Sequence, residues 1–382
     1  MALAIRPPLS AIPCFQTHHM KPLFLKFRPD NFTSHLRTPW AGSLLIHKLK
    51  AQLHLPLPPF IGESWEFSNC SELPSQCLGP YSGSLCDLLA DPEQADFWLS
   101  QDHREIWGNA SPLLLKYIDA GMDLSLQVHP PILAPHLHPS DSGKWEGWLI
   151  LDHVPGACLY LGLAPGVTPR DLRHAMEHLD DVRTLLVPVP VKTGDFYTIP
   201  PGTVHALGAG ICVLEPQIMQ PGKRAVSLRL HDWNRRYDAS GNLDPHGIPR
   251  QIHTDEALQY IHFDTTHDNH SAIPVHKTAY TPWCQETLHS EELEPAPCLT
   301  MRLVSGSGTA RQDAFGELTS IVVMKGEVEL ESMGQTLTMQ AGESGIIAAS
   351  AHDITFQCKN AHAAIHFCTP RRYRNTITRS TP

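Results

Sequence analysis

Gly194-Asp195-Phe196-Tyr197-Thr198-Ile199-Pro200-Pro201-Gly202-Thr203-Val204-His205 carries the spacing G-x5-P-x-G-x2-H. An apolar, aromatic run leads into a Pro/Gly turn, and a histidine follows three residues after the last glycine. That arrangement sets an imidazole at the start of a strand, in the mouth of a small β-barrel. A histidine there does chemistry only in company. Upstream, Gln127 and His129 stand at i and i+2 of one strand and point to one face. Glu146 opens the next strand. Two imidazoles, a carboxylate and a neutral amide oxygen suit a divalent first-row metal, and zinc in particular, with room left for water or substrate. His129 by itself would read as a hydrogen-bonded core residue. Glu146, set among Trp145 and Trp148, is costly to bury unpaired, and ligation removes that cost. Gln127 either ligates or hydrogen-bonds backbone.

Outward from this segment the chain reads as a globular protein. Its 382 residues suffice for one large or two medium domains. Hydrophobic content of 42% against 18% charged residues excludes a disordered chain. A formal net charge of −10 argues against nucleic acid or an anionic membrane as partner. An anionic small substrate therefore needs a local basic cluster. The 34 prolines favour strands and turns over long helices. Ten cysteines are scattered without a C-x2-C pair, as expected of reduced, buried thiols in a cytoplasmic protein. No run approaches the ~18–20 apolar residues of a membrane span. Residues 1–19 lack the apolar core of a secretory signal and are expected to form a flexible arm. No G-x4-G-K-[ST] loop for nucleotide phosphates occurs.

Strand-like runs lie at 23–27, 61–67, 112–118, 124–128, 145–151, 158–163, 184–191, 196–199, 211–217 and 224–230. Thr168 caps and Pro169 opens a helix predicted to reach about 179. Residues 265–274 form a polar linker. Beyond it, strands are predicted at 298–304, 318–324, 327–332, 335–339, 344–348 and 363–367, which suggests a second jelly-roll or barrel. The expected architecture is mainly β: two jelly-roll β-barrel domains, 20–264 and 275–382, with a few short helices. The second contains a worn echo of the opening segment, from Gly342 to His352. Alanine and serine replace its proline and second glycine, and His352 arrives one residue early. In a strand that shift turns the side chain to the other face, so this domain is expected to hold no metal.

Six stretches together resemble one family. They are Gly62–Glu66; Pro112–Lys116 with Asp119-Ala120; Leu124–Pro130; Gly143–Glu146; Pro201–Leu207; and Glu215-Pro216-Gln217 followed by Arg229–Arg235. They resemble the type I, cupin-type mannose-6-phosphate isomerases in their compact bacterial form, across about residues 21–375. The triplet Lys144-Trp145-Glu146 and four additional residues near 220–223 depart from the family's usual pattern. The resemblance implies two cupin barrels and one zinc held by Gln127, His129, Glu146 and His205. It implies interconversion of mannose 6-phosphate and fructose 6-phosphate. It places the family's characteristic arginine at Arg229 and its active-site lysines at Lys116 and Lys144.

That reaction moves a proton between C2 and C1 and another between their oxygens, through a cis-enediol. Lys116, Lys144, a histidine or a metal-bound water could serve as base. Burial and a nearby cation are expected to lower the two lysine pKa values. Arg229 could stabilise the enediolate or bind phosphate, and Lys223 and Arg224 could hold the phosphate dianion. Arg235 and Arg236 read as structural or surface residues. Two other functions use the same ligand types: a cupin oxygenase with Fe²⁺, and a non-catalytic sugar-phosphate-binding module. The sequence leaves the oligomeric state open.

Overall fold

The computed structural model describes residues 21–178, 181–263, 288–296, 298–368 and 370–371. The expected arm at 1–19 and linker at 265–274 lie outside them. The described elements run β1 (Phe24–Phe27), α1 (Leu45–Ala51), β2 (Glu63–Ser68), β3 (Cys77–Leu78), α2 (Leu85–Ala90), α3 (Pro92–Trp98) and α4 (Gln101–Trp107). Next come β4 (Leu113–Ala120), β5 (Leu126–Val128), β6 (Asp141–Ser142), β7 (Trp145–His153), β8 (Cys158–Leu163), α5 (Pro169–His178), β9 (Leu186–Pro190), β10 (Phe196–Ile199) and β11 (His205–Ala206). The chain continues through β12 (Ile211–Ile218), β13 (Arg224–Ala225), β14 (Leu228–His231), α6 (Thr254–Leu258), β15 (Leu288–Ala296), β16 (Leu299–Ala314), β17 (Thr319–Ser332), β18 (Gln335–Gln340), β19 (Ser344–Ile347) and β20 (His352–Cys368). The fold is mainly β with few helices, as expected.

The strands form a central sheet ordered β10-β7-β12-β4-β2 and a second sheet ordered β14-β5-β11-β8-β9. A third, eight-stranded sheet is ordered β15-β16-β20-β17-β19-β1-β3, with β18 paired to β17, and β13 and β6 form a small ribbon. None of these sheets closes on itself. β1 and β3 come from the N-terminal part of the chain yet extend the C-terminal sheet, through Phe24 opposite Ile347 and Phe27 opposite Cys77.

The period-2 rule explains how the central sheet is sandwiched. On β4, Leu113, Leu115 and Tyr117 join the core shared with the third sheet and helices α1–α4. Ile118 and Ala120, on the opposite face, join a core with Leu159 and Leu161 of β8. β7, β10 and β12 divide in the same way: Leu149, Phe196 and Leu214 face the former core, and Ile150, Tyr197 and Val213 the latter. Every residue of β4 and β12 is buried, so both faces of these strands carry apolar residues and the alternation of a half-exposed strand is absent. The outer face of the second sheet rests on α5 and α6 through Leu126, Val128, Ala206, Leu172, Met176 and Ala257.

Several boundaries differ from the sequence expectation. Strands predicted as short pieces at 318–324 and 327–332 form one strand, β17, of 14 residues; 298–304 and 363–367 are segments of β16 and β20, of 16 and 17 residues. Their apolar pattern breaks where the ladder shifts register, at Gly306/Gly308 and around Lys325. The run 224–230 divides into β13 and β14. Residues 182–185 form a 3-10 turn before β9. The predicted helix after Thr168 is present, with a capping box: Thr168 Oγ1 accepts from Asp171 N–H, and Asp171 Oδ2 accepts from Thr168 N–H. His352 is exposed beside Asp353.

Candidate metal centre and active-site cleft

The central and second sheets face one another, and the space between them is where the predicted ligands meet. Antiparallel pairing sets His205 opposite Gln127, and Gln127 opposite Arg229. Residues directly opposite share a face, so these three side chains form a row across the second sheet. The central sheet presents Glu146 opposite Gln217, and Lys116 opposite both Glu215 and Trp65. The Pro/Gly turn that delivers His205 is tied to the other imidazole strand. Gly202 has φ of 84° and donates its N–H to the His129 carbonyl at 2.9 Å. The positive φ favours glycine there, and a Cβ would also press the exposed His262 ring, 2.6 Å from its Cε1.

One ligand atom from each of His129, Glu146 and His205 lies within 4.8 Å of the other two, and all three residues are buried. His129 Nδ1 is 3.2 Å from the Val226 carbonyl and His205 Nδ1 is 2.9 Å from that of Thr203. A carbonyl can only accept, so both Nδ1 atoms carry the proton and both Nε2 atoms present lone pairs inward. These point at Glu146: His129 Nε2 is 3.3 Å from Oε2, and His205 Nε2 is 3.2 Å from Oε1. Burial, then Lys144, depresses the His129 pKa to about 3, which keeps that ring neutral. Burial would raise the Glu146 pKa, but the Lys144 ammonium beside it holds the carboxyl well below its usual range. Three buried acceptors, two nitrogens and a carboxylate, thus converge on one point, and Nε2 of both rings and Oε1 of Glu146 have no hydrogen-bond donor. This donor set fits a divalent cation. Gln127 borders the same face.

Around this centre lies a chain of alternating charge. Lys144 Nζ is 2.9 Å from Glu146 Oε2. The Gln217 amide donates to Glu146 Oε2 at 3.0 Å and to Glu215 Oε2 at 2.8 Å. Trp148 Nε1–H donates to Glu215 Oε1 at 2.8 Å, and Lys116 Nζ lies 3.0 Å from both Glu215 Oε2 and Glu63 Oε1. The expectation that burial lowers the Lys116 pKa is corrected here. Desolvation does pull it down, but the paired carboxylates Glu215 and Glu63 pull harder, and the ammonium is stabilised. Lys116 is therefore a fixed cation and not a neutral amine. Glu63, Glu215 and Gln217 lie in the family-like stretches, which assign them no role. Their signal was period 2, since Glu215 and Gln217 share a face of β12 with Val213.

Above the metal centre opens a cleft of ≈ 1020 Å³ lined by Gln127, Lys116, Lys144, Arg229, Trp65 and Arg250, among others. Lys223 and Arg224 line its mouth. Arg224 is exposed and engaged bidentately by Asp141, at 3.0 Å for both contacts, so a carboxylate already offsets its charge. Arg229 faces the cleft with its Nε buried and unpartnered. Burial, then Arg250, lowers its pKa to about 10. Arg235 is tied to Asp232 at 2.6 Å, in keeping with a structural reading.

No family model matches this chain. It is 34% identical over 215 residues to a Bacillus subtilis protein named "Probable mannose-6-phosphate isomerase", a match spanning 54% of this chain and 61% of that protein. It is 30% identical over 237 residues to a mannose-6-phosphate isomerase of Streptococcus mutans, spanning 60% of this chain and 68% of the relative. Among solved structures, the mannose 6-phosphate isomerase of Bacillus subtilis superposes with a TM-score of 0.70 at 24% identity, covering 90% of this chain and 99% of that one. A zinc-bound mannose 6-phosphate isomerase superposes with a TM-score of 0.62 at 14% identity, over 90% of this chain and 99% of that one. The identity and coverage of the curated relatives, together with the shared fold, establish that this chain belongs to the mannose-6-phosphate isomerase family of enzymes.

Proposed function

We propose that this chain interconverts mannose 6-phosphate and fructose 6-phosphate with one zinc ion held by His129, Glu146, His205 and Gln127. The observation that carries the reading is the convergence of two Nε2 lone pairs and a carboxylate at 3.2–3.3 Å in a buried site beneath a cationic cleft. A metal held by these residues would supply a Lewis acid for the negative charge that develops on the sugar's oxygens. Lys144, in contact with Glu146, is the candidate to move the carbon-bound proton. Lys116, fixed as a cation between Glu63 and Glu215, offers the substrate a hydrogen-bond donor rather than free positive charge, because the two carboxylates more than offset it. Arg229 offers a planar fork to the phosphate or to the developing enediolate. Lys223, and Arg224 once exchanged from Asp141, attract the phosphate at the mouth.

On this reading the two sheets around the metal form a cupin barrel within 20–264, and the eight-stranded sheet, to which β1 and β3 contribute, forms a degenerate cupin barrel without metal in 275–382. Cys70, Cys77, Cys86, Cys158, Cys212, Cys298 and Cys368 are free thiols, as suits the reducing cytoplasm. A coupled assay with fructose 6-phosphate, run on protein whose metal content is measured, tests the proposal. Chelation should abolish turnover and zinc should restore it; His205→Ala should carry no metal. Turnover untouched by exhaustive chelation would exclude the metal. Binding of mannose 6-phosphate without turnover would identify a non-catalytic sugar-phosphate module, and oxygen consumption an Fe²⁺ oxygenase.

A further inference from the structure

Arg229 is held by one short segment of chain. Its backbone N–H donates to His253 Nδ1 at 3.0 Å, its carbonyl accepts from His253 N–H at 2.7 Å, and its Nη1 donates to the Gln251 carbonyl at 2.8 Å. Residues 251–253 therefore grip both the main chain and the guanidinium. The segment is itself anchored twice. Ile248 and Tyr237 exchange backbone hydrogen bonds at 2.9 and 3.0 Å. Arg250 makes a bidentate pair with buried Asp232, at 2.8 Å to Oδ2 and 2.5 Å to Oδ1, and its guanidinium lies 5.5 Å from the Tyr237 ring. Asp232 is three residues beyond Arg229, so the pair closes a loop around the arginine it supports.

We infer that residues 248–253 form a strap that orients the Arg229 fork toward the cleft, with His253, Arg250 and Asp232 as its positioning residues. Fixing Nη1 on the Gln251 carbonyl leaves the buried, unpartnered Nε edge for an anion. The grip requires His253 Nδ1 to be an acceptor, so its ring proton sits on Nε2; burial, then Arg229, lowers the His253 pKa and favours this neutral form. Bidentate geometry at Arg250 is equally specific, because a lysine there would meet Asp232 through one point. None of these three residues needs to touch the reacting carbons.

The kinetic part of this inference rests on the isomerase reading, and the test separates the two. His253→Leu removes the acceptor, whereas His253→Asn keeps an oxygen near the Nδ1 position. His253→Leu should lower kcat/KM about 10–100-fold, chiefly in kcat, with zinc content and melting temperature retained; His253→Asn should recover most of the loss, and Arg250→Lys should fall with His253→Leu. In protein labelled with ¹⁵N-arginine, the Arg229 Nε–H resonance, assigned by its disappearance in Arg229→Ala, should be sharp in wild type and His253→Asn and exchange-broadened in His253→Leu. Active wild type with His253→Leu unaffected in kinetics and spectrum overturns the strap. Wild type without isomerase activity overturns the functional reading, and the resonance still decides the strap.

Discussion

His129, Glu146 and His205 were each legible as residue types, but their weight came from different sources. His205 was carried by its spacing, Glu146 by the cost of burying a carboxylate between tryptophans, and His129 by its partners. Lys144 was equally legible, and Lys144→Ala is expected to retain metal while turnover falls about 10²–10⁴-fold, read by metal analysis and the coupled assay on one sample. Lys116 shows what the sequence concealed. Its neighbours Glu63 and Glu215 lie 53 and 99 positions away, and together they reverse the expected direction of its pKa. Lys116→Met leaves two buried carboxylates without their cation and should cost about 3–5 kcal/mol in urea unfolding, which a purely catalytic lysine would not. His366, in β20 of the third sheet, is buried with both ring nitrogens unpartnered, and burial takes its pKa from 6.5 to about 3. The unfolded chain gains that proton first as pH falls. Stability should therefore decline below pH 6.5 toward 3 by about 1.4 kcal/mol per unit from this group alone, and urea midpoints of His366→Phe should lose that share of the slope.

At the level of elements, caps and turns were readable where the signal was local. Ser84, Asp91 and Ser100 each accept from a backbone N–H at the start of α2, α3 and α4, yet these helices were not expected. Each is only six or seven residues long, too short for its apolar spacing to stand out from neighbouring strands. Gly143 marks another limit. It precedes Lys144, and a Cβ there would lie 2.0 Å from the Pro130 carbonyl oxygen and 2.2 Å from that of Pro131. Close approach of the 129–131 and 143–146 segments sets His129 against Glu146, so this glycine belongs to the site though it offers no ligand. Gly143→Ala should cost about 1–3 kcal/mol by thermal melting and reduce bound metal, because the backbone must retreat. A variant with native stability and metal content would refute that account.

Across the whole molecule, the N-terminal and C-terminal parts are joined through buried contacts. Lys50 of α1 is fully buried, 2.7 Å from Glu66 of β2, and donates to the Gly342 carbonyl at 2.8 Å. Glu66→Gln removes one half of that pair and should destabilise the full chain by about 3–5 kcal/mol, measured by chemical denaturation, while replacing both partners by apolar residues should recover much of it. Because β1 pairs with β19, a chain ending at 263 would expose the edge of β1, and it is expected to lack a cooperative unfolding transition. The sequence by itself determined the strand-rich class, the turn that delivers His205, the helix after Thr168 and the family, since periodicity, turn chemistry and motif order are local properties written along the chain. Only the tertiary structure decided that β1 and β3 complete the distant sheet, that Lys116 is locked as a cation, and that Arg229 is gripped from 251–253. Those outcomes depend on strand order and on charges brought together from distant positions, and burial fixes their energies only after the sheets have packed.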